Sequence, residues 1–181
     1  MTVLNQIRLM AKYNHWMNQN LYLAAAKIPV EKLKEDKKAF FGSIIGTLNH
    51  ILVADIIWLK RFSMHPANHV ALESARINDS PKSLDQILYA DLEELSQQRI
   101  ELDNIIINWC NELSEVDLEH HLQYKNMKGQ PGVKEFGSLV FHFFNHQTHH
   151  RGQVTTLLSQ EGVDIGVTDL LMLIPNETTG N

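Results

Sequence analysis

The segment HFFNHQTHHRGQ, His142 to Gln153, holds four of the ten histidines in a chain of 181 residues, beside Arg151, Gly152 and Gln153. A solvated helix face is more usually built from lysine and glutamate. On a helical wheel, Leu139, Phe143, His146, His150 and Leu157 fall in one core-facing sector, with His142 and His149 at its flanks. His146 and His150 are four residues apart, so on a helix their imidazoles stack one turn above the other and converge on one point. Polar rings in an apolar stripe need hydrogen bonds from other helices or a metal ion. His50, in the middle of an earlier helical segment, is the natural third candidate. Three neutral imidazoles on two helices would hold Zn²⁺, Ni²⁺ or another borderline divalent ion and leave positions open for water or substrate.

The neighbouring residues narrow the chemistry. Gln147 stands where a zincin HExxH helix has its glutamate, and an amide cannot take a proton from water on a metal, so the metalloprotease mechanism lacks its base. A di-iron bundle wants Glu-x-x-His on two helices, which neither central histidine provides. Arg151 could bind an anionic group, but it points about 100° from His150 and fits better with a partner across a helix interface. Gly152 is expected to permit close helix approach, and Gln153 to hydrogen-bond a ligand imidazole. Asn49 and Asn145 are either supports for the adjacent histidines or ordinary polar residues. The angular offset of Asp55 from His50 favours a structural or surface role. Tyr13, Asn14, Trp16 and Asn18 either line a pocket or fill the core. Tyr124 could bring its hydroxyl near a reacting group if the connector that carries it folds over the site. Cys110, without a nearby histidine to activate it, reads as inert packing.

Four elements must position these groups. Apolar residues at helical spacing predict a first helix over about Leu4 to Lys27, ended by Pro29. Ser43 caps a second, ending near His65 before Pro66. Pro81 starts a third and longest candidate, running through Leu84, Ile87, Leu88, Leu92, Leu95, Leu102, Ile105, Ile106 and Trp109. The stretch HLQYKNMKGQPGVKEF breaks the rhythm and reads as a loop or small hairpin. A fourth helix runs from Phe136 or Ser138 to Gln160, stopped by Gly162.

These elements imply an all-α fold, an antiparallel four-helix bundle with a long crossover or loop before the last helix. Residues 1–175 read as one domain, with the segment from Gly162 covering an end of the bundle or entering a dimer contact, and 176–181 as a disordered tail. Composition bounds the rest. The chain is 44% hydrophobic and 20% charged, with a formal net charge of -5 and one cysteine. An intrachain disulfide and a multi-thiolate zinc site are therefore excluded. No basic stripe suggests nucleic acid, and no segment suggests secretion or a membrane span, so a cytoplasmic protein is expected.

GTLNHILVADIIWLKRF, followed about ninety residues later by NHQTHHRGQVTTLLSQEG, resembles the DinB-like (damage-inducible) family of metal-binding helix bundles. The likeness extends to YNHWMNQNLY, to Arg99 and to LQYKNMKGQ. It implies a four-helix bundle, commonly homodimeric, with a divalent metal on one histidine of the second helix and two of the fourth: His50, His146 and His150 here. Zinc or nickel is expected, manganese or iron as the alternatives. The family is similar to thiol-dependent S-transferases, a maleylpyruvate isomerase and metal-dependent hydrolases, and its name does not imply DNA repair. The implied partners are a small-molecule substrate, including a low-molecular-weight thiol, and a second copy of the chain. Two functions follow. One is a metal-dependent transferase or hydrolase, with His142 or His149 moving protons. The other is a noncatalytic, metal-stabilised dimeric bundle with a binding or sensing role.

Overall fold

The structure is a computed structural model, and it describes residues 2–176. Among the described residues seven helices and one hairpin follow in order: α1 Val3–Ala25, α2 Val30–Lys34, α3 Ile44–Phe62, α4 Glu73–Ile77, α5 Leu92–Glu112, α6 Glu115–Glu119, β1 His121–Lys125, β2 Pro131–Glu135 and α7 Phe136–Gln160. Short 3₁₀ turns lie at Val70–Leu72 and Leu170–Leu173. The four long helices α1, α3, α5 and α7 form the bundle, α1 packing on α5 and α7, and α3 on α7. Helices α3 and α7 run antiparallel: Phe62 meets Phe136, Trp58 meets His142 and His50 meets His150 along the interface.

Capping explains where these helices begin. The Thr2 hydroxyl accepts from Asn5 N–H, and that of Ser43 from Gly46 N–H at 3.0 Å, satisfying donors that the first helical turn leaves free. Helix α7 ends at Gln160, and Gly162 takes φ +77°, a conformation that suits glycine. The connector before α7 forms a two-stranded antiparallel hairpin, with Tyr124 opposite Gly132. A Cβ at Gly132 would lie 3.1 Å from the Tyr124 ring, so the glycine admits the tyrosine.

The third helix departs from its expected start. Residues 81–91 are irregular, and α5 begins at Leu92, where the Asp91 carboxylate accepts from Glu93 and Glu94 N–H. Leu84 and Ile87 are exposed, not part of a buried stripe. The segment is drawn out of helix because its backbone bonds to α3: Leu88 N–H, Tyr89 N–H and the Tyr89 carbonyl bond to Asn49, and the Leu84 carbonyl meets His50. The longest helix is accordingly α7.

Two apolar clusters fill the bundle. One gathers Phe62, Trp109, Phe136 and Phe143, the other Leu21, Leu48, Leu52 and Leu158. Between them lies a buried polar layer. Arg99 donates to Asp55 at 2.6 Å and lies 2.9 Å from Asp103, which accepts from Asn14 and Asn18. Arg151 closes the layer by donating to Asn14 Oδ1 and Thr148 Oγ1. Burial pushes the Asp55 carboxyl up to about 6, against the pull of Arg99. The segment after Gly162 returns along α1, where the Tyr13 hydroxyl donates to the Thr168 carbonyl at 2.6 Å. The expected tail, Asn176 apart, lies outside the described residues. Among the described residues no helix is long and apolar enough to cross a membrane.

Candidate metal centre

Three histidines from two helices meet at one point. His50 Nε2 lies 3.3 Å from His146 Nε2 and 3.2 Å from His150 Nε2. Two of the three rings are oriented by a hydrogen bond at Nδ1. His50 Nδ1 is 2.8 Å from the Leu84 carbonyl, which can only accept, so Nδ1 carries the hydrogen and Nε2 presents a lone pair. His150 Nδ1 faces Gln153 Oε1 at 2.8 Å, giving the same tautomer and freeing its Nε2. Gln153 is held in turn by His149, 3.2 Å from its Nε2. Phe41 stacks on His50, with ring centroids 3.7 Å apart and planes 15° from parallel.

Two lone pairs facing each other at 3.2 Å repel unless something positive lies between them. A shared proton is disfavoured, because burial pulls His50 down to about 4 and His146 down to about 3. A divalent ion suits the spacing. Imidazole nitrogens about 2.0–2.1 Å from one tetrahedral ion lie about 3.3–3.4 Å from each other. Donor type, tautomer and spacing therefore fit a borderline divalent metal. Among the described residues the group holds three protein ligands, which leaves a tetrahedral ion one position short.

The other expected residues divide. Asn49 supports the centre by fixing the segment that delivers the Leu84 carbonyl, whereas Asn145 is exposed. Arg151 is buried in the polar layer, as its direction away from His150 required. Gln147 is fully buried beside Asp55 and is not among the three convergent donors. Asp55 is interior rather than on the surface, and Asn14 and Asn18 fill the core. Cys110 is buried and its thiol is pushed up by burial, which matches inert packing. Gly152 does not mediate close helix approach, since a Cβ there would meet nothing within 4 Å.

A cavity of about 400 Å³ opens beside His50 and His146, walled by Trp58, Arg61 and His142 of the two helices and by Met127 and Lys128 at the hairpin tip. The connector therefore does fold over the site. Tyr124 itself packs on Trp58, with ring centroids 5.5 Å apart. A second grouping, His65, His69 and Asp117, has donor atoms within 4.8 Å of one another. There Ala67 N–H donates to His65 Nδ1, so His65 Nε2 carries the hydrogen toward the Asp117 carbonyl and offers no lone pair in that tautomer.

A family model for the DinB family matches residues 1–179. The chain belongs to the DinB family. Protein DinB of Bacillus subtilis (strain 168) is 24% identical over 158 residues, covering 87% of each chain. No solved structure matches this DinB-family chain. Phe41 and Leu84 were not legible as parts of the DinB-family site, because one lies in a loop and the other in a segment with helical spacing.

Proposed function

We propose that this chain is a divalent-metal-dependent enzyme acting on a small molecule, of the thiol-dependent transferase or hydrolase type, with His50, His146 and His150 as the metal ligands. The carrying observation is the pairing of an incomplete three-histidine donor set with an adjoining cavity. Structural zinc sites usually close all four positions with protein ligands, whereas catalytic sites keep one open. A divalent ion held there would act as a Lewis acid and lower the pKa of a water or thiol bound to it.

The chain's own residues position the imidazoles and shape the cavity. Leu84 and Gln153 fix the ring tautomers, Phe41 covers one face of His50, and the hairpin tip walls the cavity. His142 lines that cavity, and partial desolvation and Arg61 hold it below its ordinary value, which favours its neutral form.

The test compares metal-free protein with protein reconstituted with zinc, nickel or manganese, using thiols with electrophilic acceptors and activated esters. Turnover that requires the ion and falls in His142→Asn supports the enzyme. Stoichiometric binding without turnover of either class would favour the noncatalytic metal-stabilised bundle.

A further inference from the structure

The cavity beside the three histidines carries a charge pattern that the metal chemistry does not use. Its charged lining residues are Arg61 and Lys128, with no carboxylate among them, in a chain whose formal net charge is -5. The Arg61 guanidinium carbon lies 4.6 Å from the centroid of the Trp58 ring and 5.3 Å from that of Tyr124. Among the described residues no carboxylate comes within 4.0 Å of it. This contrasts with Arg99, which is paired with Asp55 and Asp103. A half-buried guanidinium lying against two aromatic rings and lacking a carboxylate partner is suited to receive an anion.

We propose that Arg61 is the anion-binding residue of this cavity, taking the carboxylate of an elongated small molecule whose other end reaches the three-histidine centre. The proposal rests on the metal reading above and adds a substrate class to it. Arg61 follows His50 by eleven residues, three helical turns, so both project from nearly the same side of α3. Their Cα atoms are about 16 Å apart along the axis, a gap Arg61 shortens by leaning back over Trp58. A single inorganic ion would not touch both ends. Ala54, Ile57, Trp58 and Leu84 line the stretch between them and suit an apolar middle. The ligand class is a small carboxylate with a hydrocarbon or aromatic spacer and a metal-seeking group at its far end. Lys128, exposed at the hairpin tip, lacks the fixed planar fork and contributes only field.

The test uses cobalt-reconstituted protein and two thiols of equal length, mercaptohexanoate and mercaptohexanol, read by the thiolate-to-cobalt absorption band. The acid should bind about tenfold tighter than the alcohol in the wild type, the worth of one charge-assisted hydrogen-bonded pair. Arg61→Gln should abolish this preference and Arg61→Lys should retain part of it, while both keep one cobalt per chain and wild-type affinity for the alcohol. Equal binding of acid and alcohol by the wild type, or a preference that survives Arg61→Gln, would overturn the assignment and leave the metal reading intact. Failure of the wild type to take up cobalt would overturn the metal reading, and this proposal with it.

Discussion

The Leu84 carbonyl accepts from His50 Nδ1 at 2.8 Å, and this bond decides which nitrogen His50 turns toward α7. Leu84 reaches that place because Asn49, the residue before His50, bonds to Leu88 N–H, Tyr89 N–H and the Tyr89 carbonyl. The irregular segment after Pro81 is therefore part of the site's support. Asn49→Ala should lower divalent-ion affinity about 10–100-fold, the usual cost of removing such a support. Competition with a chromophoric chelator measures it, with helicity checked by circular dichroism.

Acid should destabilise the metal-free protein in a definite window. The folded-state values of His50 and His146, about 4 and about 3, lie below the ordinary 6.5, so the unfolded chain binds protons first. Their contribution is complete above about pH 6.5 and is lost as pH falls toward those values. Thermal melting of metal-free protein should drop between pH 7 and pH 5, and less steeply in a His50→Gln, His146→Gln variant. Some slope should remain, because burial also holds His65 low. A wild-type profile as flat as the variant's would contradict this.

Gly46 is predicted to be intolerant of any side chain. A Cβ there would lie 2.2 Å from the Phe41 carbonyl oxygen, so Gly46→Ala must push away the loop that stacks Phe41 on His50. A loss of about 1–3 kcal/mol in urea denaturation is expected, with weaker ion binding. Gly152→Ala, in open space on α7, is the control and should leave both unchanged or slightly raise stability.

The polar layer should respond to loss of its cation. Arg99→Met leaves Asp55 and Asp103 buried without their partner, which costs about 3–5 kcal/mol. Denaturant melts of Arg99→Met beside an Asp55→Leu, Arg99→Met pair would show it, the pair recovering part of the loss.

Much of this arrangement could be read from residue spacing. The fourth helix ends where Gly162 demands, and the His146–His150 pair faces His50 as the apolar stripe around it required. The start of α5 was not legible, because Leu84, Ile87 and Leu88 keep helical spacing while their backbone is claimed by Asn49 and His50, a tertiary effect. The stacking of Phe41 depends on a loop path that no periodicity reports. Arg61 carries a legible signal, since its eleven-residue offset places it on the face of His50, whereas Arg151, adjacent in sequence to His150, is directed into the core.

The most direct test of the central claim is tightly bound metal per chain, by elemental analysis of tag-free protein purified alongside a His50→Ala, His146→Ala variant and a His69→Ala variant. About one divalent ion per chain is predicted for the wild type and for His69→Ala, and none for the double variant. An ion that persists in the double variant but disappears in His69→Ala would move the centre to the His65, His69 and Asp117 group. No ion in the wild type, even after incubation with zinc, nickel or manganese, would contradict the account outright.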